Sequence, residues 1–494
     1  MRPELSHVVT PARRLPWYRR RWVLLLAFSP VVPLGAGAVA LIVLTSNADR
    51  EHRRAVAETD KLGPRWRLAE IEADRETPTD AENAAVVVRR ALAWRAGQPV
   101  YPHPRRPDAE RPSRPVHASE EVDRLPIGTR PGPGLFEEFA GELEPYAGTL
   151  VAARELVGMR RGRTVLKIPA DPLTLMLPHI QDGRQLATLL QDEALLRAMQ
   201  GDVDAAILST RAILGVAASI GDEPFAISML VRIAEDAVAV RAAARALGLG
   251  VAGDEALAGL DADLADEEAR PLLRVALRGE RGASYAILGW VADGSTAGFV
   301  PGFPATSPAM NLLGWAAKRG PHVRAWYRYN QGVSLRQINE ALAIAERPGA
   351  EQPPLWAAWE KSLRGPGSRW EGLSIAPSQY VTTWAGQVAD AHLGHLATMR
   401  VGRAMIALER HRLARGAWAA EGELAMPVDP FDGKPLRRKR TPGGWTIYSV
   451  GGDRVDDGGE IERKSGEPPQ PKDVGVRLLD PEARRQLPPP EDRP

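Results

Sequence analysis

Three aspartates near the C-terminus have the residue type and spacing of a cation-binding loop. Asp453, Asp456 and Asp457 lie close together in a glycine-rich stretch that follows a short apolar run. Carboxylate oxygens are the ligands that calcium prefers in proteins. The spacing therefore makes these aspartates candidate calcium ligands, and a hydrated acidic loop that binds no ion is the alternative. Calcium is the one cofactor for which the sequence offers ligands.

Two histidines three residues apart are the other pair with metal-ligand spacing. His392 and His395 fall on a predicted long helix, where this spacing places both imidazoles on one face. His395 also shares its angular position with apolar residues, as expected of a side chain that faces the core. No HExxH motif or nearby carboxylate completes a ligand set. We therefore interpret the pair as satisfied core histidines and not as ligands.

The motifs of common catalytic and nucleotide-binding sites are missing from the sequence. Gly-x-Ser-x-Gly and GxxxxGK[ST] are absent, and the one GxGxxG match follows a predicted helix instead of a strand. The chain has no cysteine, which removes thiol nucleophiles and thiolate metal sites. We assign no catalytic and no cofactor-binding residue. The alternative is a hydrolase whose His179, His322 or His395 meets acidic residues only in the fold.

Positive and negative charges are nearly balanced over the whole chain, so it has no strong overall electrostatic field. The 494 residues include 64 Lys and Arg against 62 Asp and Glu, a formal net charge of +2. Long-range attraction of nucleic acid requires a much larger excess of positive charge. We therefore expect no nucleic-acid partner.

The elements that position these residues begin with an apolar segment, residues 22–44. It carries no charge and, at about 1.5 Å per residue, is long enough to cross a hydrocarbon core of about 30 Å. Arginines crowd its N-terminal side, whereas the other flank mixes signs. The positive-inside rule predicts a single-pass protein of the bacterial cytoplasmic (inner) membrane, with the N-terminus inside and the bulk outside. A cleaved signal peptide is the alternative.

The predicted fold class is mainly α, a transmembrane helix followed by an extracytoplasmic helical bundle or hairpin array and a small β module. Between about 135 and 264, leucines recur on one face of each predicted helix, and Gly201 with Asp202 separates two of them. This helix, Gly-Asp turn, helix pattern resembles a tetratricopeptide-like hairpin, although no 34-residue period is present. The predicted segments are a cytoplasmic basic tail (1–21), a transmembrane helix (22–44), a juxtamembrane helical segment (45–97), a Pro/Arg-rich linker (98–134), a helical-hairpin domain (135–278), a second helical region ending in a long helix (279–425), a β module (426–479) and a disordered tail (480–494).

The β module carries the most distinctive text of the chain. Turn residues surround a short strand-like run at 445–450. Its DP-aromatic-x-G-x-P and aromatic-Ser-x-Gly elements, which begin at Asp429 and Tyr448, resemble the C-terminal end of the major pseudopilins of type II secretion. That family binds calcium in the following acidic loop, so the resemblance implies calcium at Asp453, Asp456 and Asp457. Arg454 replaces the usual loop glycine, and no Gly-Phe-Thr-Leu-x-Glu processing site is present, which argues against maturation as a pilin.

The whole chain is similar to a group of uncharacterised bacterial single-anchor membrane proteins. The shared segments are PTDAENAAVVV, LLRAMQGDVDAAI, SIGDEPFAISMLVRIA and DPFDGKPL. This resemblance implies an architecture and no activity.

The function predicted from these features is a non-enzymatic, membrane-anchored scaffold or partner-binding protein of the cell envelope. It would contact the lipid bilayer through residues 22–44 and one or more protein partners through its helices. The alternatives are an envelope hydrolase whose site forms only in the fold and a calcium-stabilised component of a secretion-like assembly. Three or more ionisable side chains that meet in one apolar pocket would favour the enzyme.

Overall fold

The chain is mainly helical, as predicted, and carries one small antiparallel sheet near its C-terminus. A computed structural model describes residues 31–94, 117–293, 320–363, 375, 377–379, 382–461 and 473–488. In chain order, the helices described are α1 (Val31–Leu62), α2 (Leu68–Asp74), α3 (Ala84–Ala93), α4 (Ala118–Arg124), α5 (Pro133–Leu143), α6 (Ala147–Ala153), α7 (Pro178–Gln200), α8 (Val203–Ala218), α9 (Ala226–Gly248), α10 (Asp254–Glu268), α11 (Leu272–Ala292), α12 (Pro321–Ala345), α13 (Gln352–Leu363) and α14 (Ala385–Arg415).

The first helix joins the end of the predicted anchor to the domain. Residues 22–30 of the predicted span lie outside the described residues, and α1 runs from Val31 to Leu62 without a break. Its early side chains, such as Ile42 and Leu44, are exposed and apolar. Its later part packs along α12, where Arg336 Nε lies 2.7 Å from Glu58 Oε2. Among the described helices, none combines the length and the apolar character needed to cross a bilayer.

Helical hairpins form the centre of the domain. Gly201 ends α7 with a φ of +94°, a conformation that favours glycine, and the Asp202 carboxylate then accepts a 3.0 Å hydrogen bond from the Ala205 amide at the start of α8. The predicted Gly-Asp turn is thus confirmed. α9 packs on both α7 and α8, and α14 packs against α9 and α10. The main apolar core therefore joins the two predicted helical regions.

The prediction of a linker at 98–134 is wrong for residues 117–134, the part of this range that the structure describes. Residues 98–116 lie outside the described residues, but α4 and the start of α5 fall within residues 117–134. Val122 of α4 is fully buried, and the Glu142 carboxylate accepts hydrogen bonds from the Ala118 and Ser119 amides at 2.8 and 3.1 Å. These tertiary contacts hold a segment whose proline-rich composition predicts an extended chain.

The boundary predicted between the helical-hairpin domain and the second helical region, after residue 278, falls inside a helix. α11 continues to Ala292, although its glycines and aromatics are typical of a loop. Those glycines allow close packing, because a Cβ at Gly282 would lie 2.8 Å from the Leu68 backbone nitrogen. Residues 294–319, which follow α11 in the chain, lie outside the described residues.

The C-terminal sheet has the order β1 (Arg437–Thr441), β2 (Gly444–Ser449), β3 (Val474–Leu479), with both pairings antiparallel. Asp429, the first residue of the DP-aromatic-x-G-x-P element, is fully buried beside it. Its carboxylate accepts hydrogen bonds from the Ser449 hydroxyl at 2.8 Å and the Val450 amide at 3.0 Å. Phe431 packs with Leu393 of α14. The two motif elements therefore hold each other and fasten the sheet to α14.

The predicted disordered tail at 480–494 is wrong for its described part, residues 480–488. Arg484 is buried, and it donates to both carboxylate oxygens of Glu409 on α14 at 2.8 and 2.9 Å. The Gln486 amide donates to the Gly128 carbonyl at 2.8 Å. The proline-rich composition predicts disorder, but this part of the tail closes over the helical domain.

Candidate functional site

Two groups of charged side chains are candidates for a functional site. The first, which we call the arginine cleft, lies between the end of α1, the following turn, α11 and α12. Its volume is about 490 Å³. Three of its arginines come from α11, at spacings of four and three residues that put them on one helix face. The cleft is lined by Leu62, Gly63, Pro64, Arg65, Arg274, Arg278, Arg281, Asn339, Leu342, Ala343 and Glu346.

Arg281 is the fixed cation of the cleft. It is 5% exposed, and its Nη1 donates a 2.7 Å hydrogen bond to Asn339 Oδ1. Its guanidinium lies 5.9 Å from the centre of the Trp66 ring, and its Nε has no hydrogen-bond partner among the described residues. Burial, with a smaller effect of Arg278, lowers the pKa of Arg281 to about 10. The side chain is therefore still a cation at neutral pH.

Positive charge dominates the lining of the cleft. Arg65 is neutralised by Asp74, whose oxygens lie 2.5 and 2.7 Å from its nitrogens. Arg274 reaches Glu346 only at 4.0 Å, with both side chains largely exposed. Within the described part of the chain, Arg278 forms no ion pair. The arrangement suits an anion that several guanidinium groups contact at once.

The second group, the buried ionic cluster, lies where three helices meet. α9, α10 and α14 are largely apolar at this point, so their charged side chains face one another inside the protein. Ligand atoms of Asp236, Glu267 and His395 all lie within 4.8 Å of one another, and no other group of three or more His, Asp or Glu in the described residues does so. The full cluster comprises Arg232, Glu235, Asp236, Glu267, Arg270, His392 and His395.

One ion pair inside the cluster is complete. Arg232, 1% exposed, donates to both Glu267 oxygens at 2.6 and 2.8 Å and to the Gly221 carbonyl at 2.7 Å. Although burial acts to raise it, this pairing lowers the pKa of Glu267 to about 2. Glu267 is therefore ionised throughout the physiological range.

Several carboxylate and imidazole atoms of the cluster have no hydrogen-bond partner among the described residues. Both carboxylate oxygens of Glu235 and of Asp236, both ring nitrogens of His395 and Nδ1 of His392 make no hydrogen bond to any described residue. Burial raises the pKa of Glu235 to about 8 and lifts that of Asp236 well above 3.8, while it lowers the pKa of His395 to about 4. Buried polar atoms without partners are rare and costly, so this group needs an explanation.

The histidine interpretation is thus correct in part. His392 and His395 are buried on α14, as predicted for core histidines. However, both ring nitrogens of His395 and Nδ1 of His392 lack hydrogen-bond partners among the described residues. The carboxylates that would complete a ligand set, those of Asp236 and Glu267, come from helices distant in sequence. A signal was present, since Glu235 and Asp236 interrupt a segment whose apolar character predicts burial on most sides.

The acidic C-terminal loop is arranged differently from the cluster. Asp456 accepts hydrogen bonds from the Tyr448 hydroxyl and pairs with Arg437 at 3.1 Å, while Asp453 accepts from the Val455 amide at 3.0 Å. Among the described residues, Asp453, Asp456 and Asp457 do not form a close group of ligand atoms. Calcium binding by these aspartates stays a prediction.

The other histidines of the hydrolase alternative lie apart from the cluster. His179 Nε2 lies 2.7 Å from Glu223, which also accepts from the Ser228 hydroxyl. The hydroxyl therefore contacts a carboxylate and not the imidazole that would activate it. His322 lines an apolar cavity of about 350 Å³ beside Leu44. Ionisable groups do converge, but their cluster lines neither this cavity nor the arginine cleft.

Comparisons of the chain with known protein families, with curated proteins and with solved structures found no match.

Proposed function

We propose that this chain is a membrane-anchored binding protein whose helical domain holds a multivalent anionic small molecule in the arginine cleft. The observation that carries the proposal is a cleft of about 490 Å³ lined by Arg274, Arg278 and Arg281 with one glutamate, beside a fourth arginine that Asp74 already neutralises. This volume lies within the usual range for small-molecule sites, about 300–1,000 Å³. The proposal keeps the predicted class of partner-binding protein and adds the charge of the ligand.

The arginines of the cleft differ in a way that supports binding. Arg281 is buried and held by Asn339, so it loses little freedom when a ligand binds. Arg274 and Arg278 are exposed on the same face of α11 and are free to close on a carboxylate or phosphate group. Guanidinium groups bind both groups with two parallel hydrogen bonds.

The membrane part of the proposal rests on the sequence of residues 22–44. The exposed apolar side chains of Ile42 and Leu44 support it, because they continue that segment into the described part of α1. The packing of α1 on α12 would then hold the cleft at a fixed position relative to the anchor.

Titration calorimetry of the full chain in zwitterionic detergent tests the proposal, with citrate and pyrophosphate as probes at low ionic strength. The variant Arg274→Gln/Arg278→Gln removes the two exposed cations of the cleft. The control Arg54→Gln/Arg415→Gln removes two exposed arginines outside it. We expect the cleft variant to bind on the order of tenfold more weakly per lost arginine, since one charge-assisted hydrogen bond contributes about 1.5–3 kcal/mol.

The control should bind as the wild type does, and binding by the wild type should weaken as salt is added. Failure of both anions to bind at low salt would overturn the proposal. So would equal affinities in the cleft variant and the control, because the arginines named here would then not be the site.

A further inference from the structure

The buried ionic cluster contains four polar atoms that converge with no partner. Asp236 is fully buried and His395 is 4% exposed. Neither the two carboxylate oxygens of Asp236 nor the two ring nitrogens of His395 form a hydrogen bond with a described residue. The nearest approach between the two side chains, Oδ2 to Nδ1, is 3.7 Å, too long for a hydrogen bond. The fold thus buries two good ligands that face each other and form no hydrogen bond with any described residue.

Glu267 supplies a third ligand, and its orientation is already fixed. Arg232 holds the carboxylate by two hydrogen bonds and is itself held by the Gly221 carbonyl. Arg270 Nε also lies 2.9 Å from Glu267 Oε2, so Oε1, which among the described residues only Arg232 contacts, keeps a lone pair for an ion. Such outer contacts are the usual means by which proteins orient a metal ligand.

We propose that Asp236, Glu267 and His395 bind one divalent transition-metal ion, with zinc as the best fit, in a structural centre that joins α9, α10 and α14. Two carboxylates and one imidazole form a mixed oxygen and nitrogen set that suits zinc. Calcium and magnesium prefer oxygen ligands alone. Zinc bonds of about 2.0–2.2 Å need the ligand atoms closer together than the 4.8 Å limit within which they lie here, so the three side chains would have to move inward to bind the ion.

The position of the centre assigns it a structural role. Each of the three ligands comes from a different helix, and α11, α12 and α13 lie between α10 and α14 in the sequence. The ion would therefore link segments that no local contact brings together. This centre is distinct from the arginine cleft and from the acidic C-terminal loop, and its presence does not depend on the proposed anion.

Metal analysis of the purified full chain in detergent tests the proposal. The chain is incubated with zinc, dialysed, and measured for zinc content and for melting temperature with and without chelator. We expect about one zinc ion per chain and a lower melting temperature after chelation. Asp236→Asn and His395→Gln, which keep side-chain volume, should lose the ion, whereas His179→Gln, a histidine outside the cluster, should retain it.

X-ray absorption of the zinc-loaded wild type keeps the proposal testable if either variant fails to fold. The spectrum should show an imidazole among oxygen ligands. A wild type that retains no zinc, a zinc shell without imidazole, or full zinc content in folded Asp236→Asn and His395→Gln would each overturn the assignment.

Discussion

The ion pair between Arg484 and Glu409 should be among the contacts on which the stability of the domain depends most. Glu409 is fully buried, and although burial acts to raise its pKa, hydrogen bonds from Arg484 and Arg412 lower it. Arg484 also donates to the carbonyls of Leu479 and Gly250 at 2.7 to 3.0 Å. It therefore joins the sheet, α14 and the turn after α9.

The variant Arg484→Met removes this cation while keeping an apolar side chain of similar length. Removing one partner of a buried pair costs about 3–5 kcal/mol. Because Arg412 still contacts Glu409 at 2.7 and 3.0 Å, we expect the low end of that range, about 3 kcal/mol. Urea denaturation of the full chain, followed by tryptophan fluorescence, measures the loss as a lower transition midpoint.

Two further variants isolate the buried charge from the loss of packing. In Arg484→Met/Glu409→Leu no carboxylate is left behind, so we expect this variant to be more stable than the single one. Arg410→Met breaks a pair with Asp254 at the surface, where solvent screens the charges, and should change the urea midpoint little. A single variant as stable as Arg410→Met, or a double variant no better than the single one, would refute the reasoning.

The sheet and the carboxyl group of Glu280 provide two more predictions. Asp429→Ala should destabilise the chain by more than about 3 kcal/mol, because several buried donors lose their acceptor, whereas Asp453→Ala in the exposed loop should change the urea midpoint little. Burial raises the pKa of Glu280 to about 7, so the folded chain holds this proton more tightly than the unfolded chain. Stability should therefore fall as pH rises from about 4.5 through 7. Glu280→Gln should reduce that fall, and an unchanged pH dependence of the urea midpoint would contradict it.

The elements that could be predicted from the sequence are those that depend on neighbouring residues. The turn at Gly201 and Asp202 is an example, because a glycine with positive φ and an N-cap aspartate act within a few positions. The long helix predicted at the end of the second helical region is another, found as α14, which ends before Gly416. Local interactions of this kind can be predicted from a single sequence.

Elements held by distant contacts could not be predicted in the same way. Gly282 has the residue type of a loop, yet it lies in α11 because the backbone of Leu68 approaches it there. Arg484 lies in a segment with the composition of a disordered tail, yet a carboxylate on α14 binds it. In both cases the deciding partner is far away in the chain.

The candidate sites obey the same rule. The sequence identified His395 as a residue with metal-ligand chemistry. Its partners Asp236 and Glu267 come from two other helices, so no short sequence spacing links them to it. Of the arginine cleft, only the four- and three-residue spacing on α11 was visible, and surface arginines often have that spacing. Only the packing of α1, α11 and α12 turns it into a cleft.

The uninterrupted course of α1 has a consequence for direction. Helical geometry turns the chain by about 100° and advances it by about 1.5 Å for each residue. The direction in which the exposed apolar part of α1 faces is therefore fixed relative to the part that packs on α12. One residue added between them would swing the domain through roughly a quarter turn about the helix axis. The number of residues in this helix thus determines the direction in which the arginine cleft faces relative to the exposed apolar part of α1.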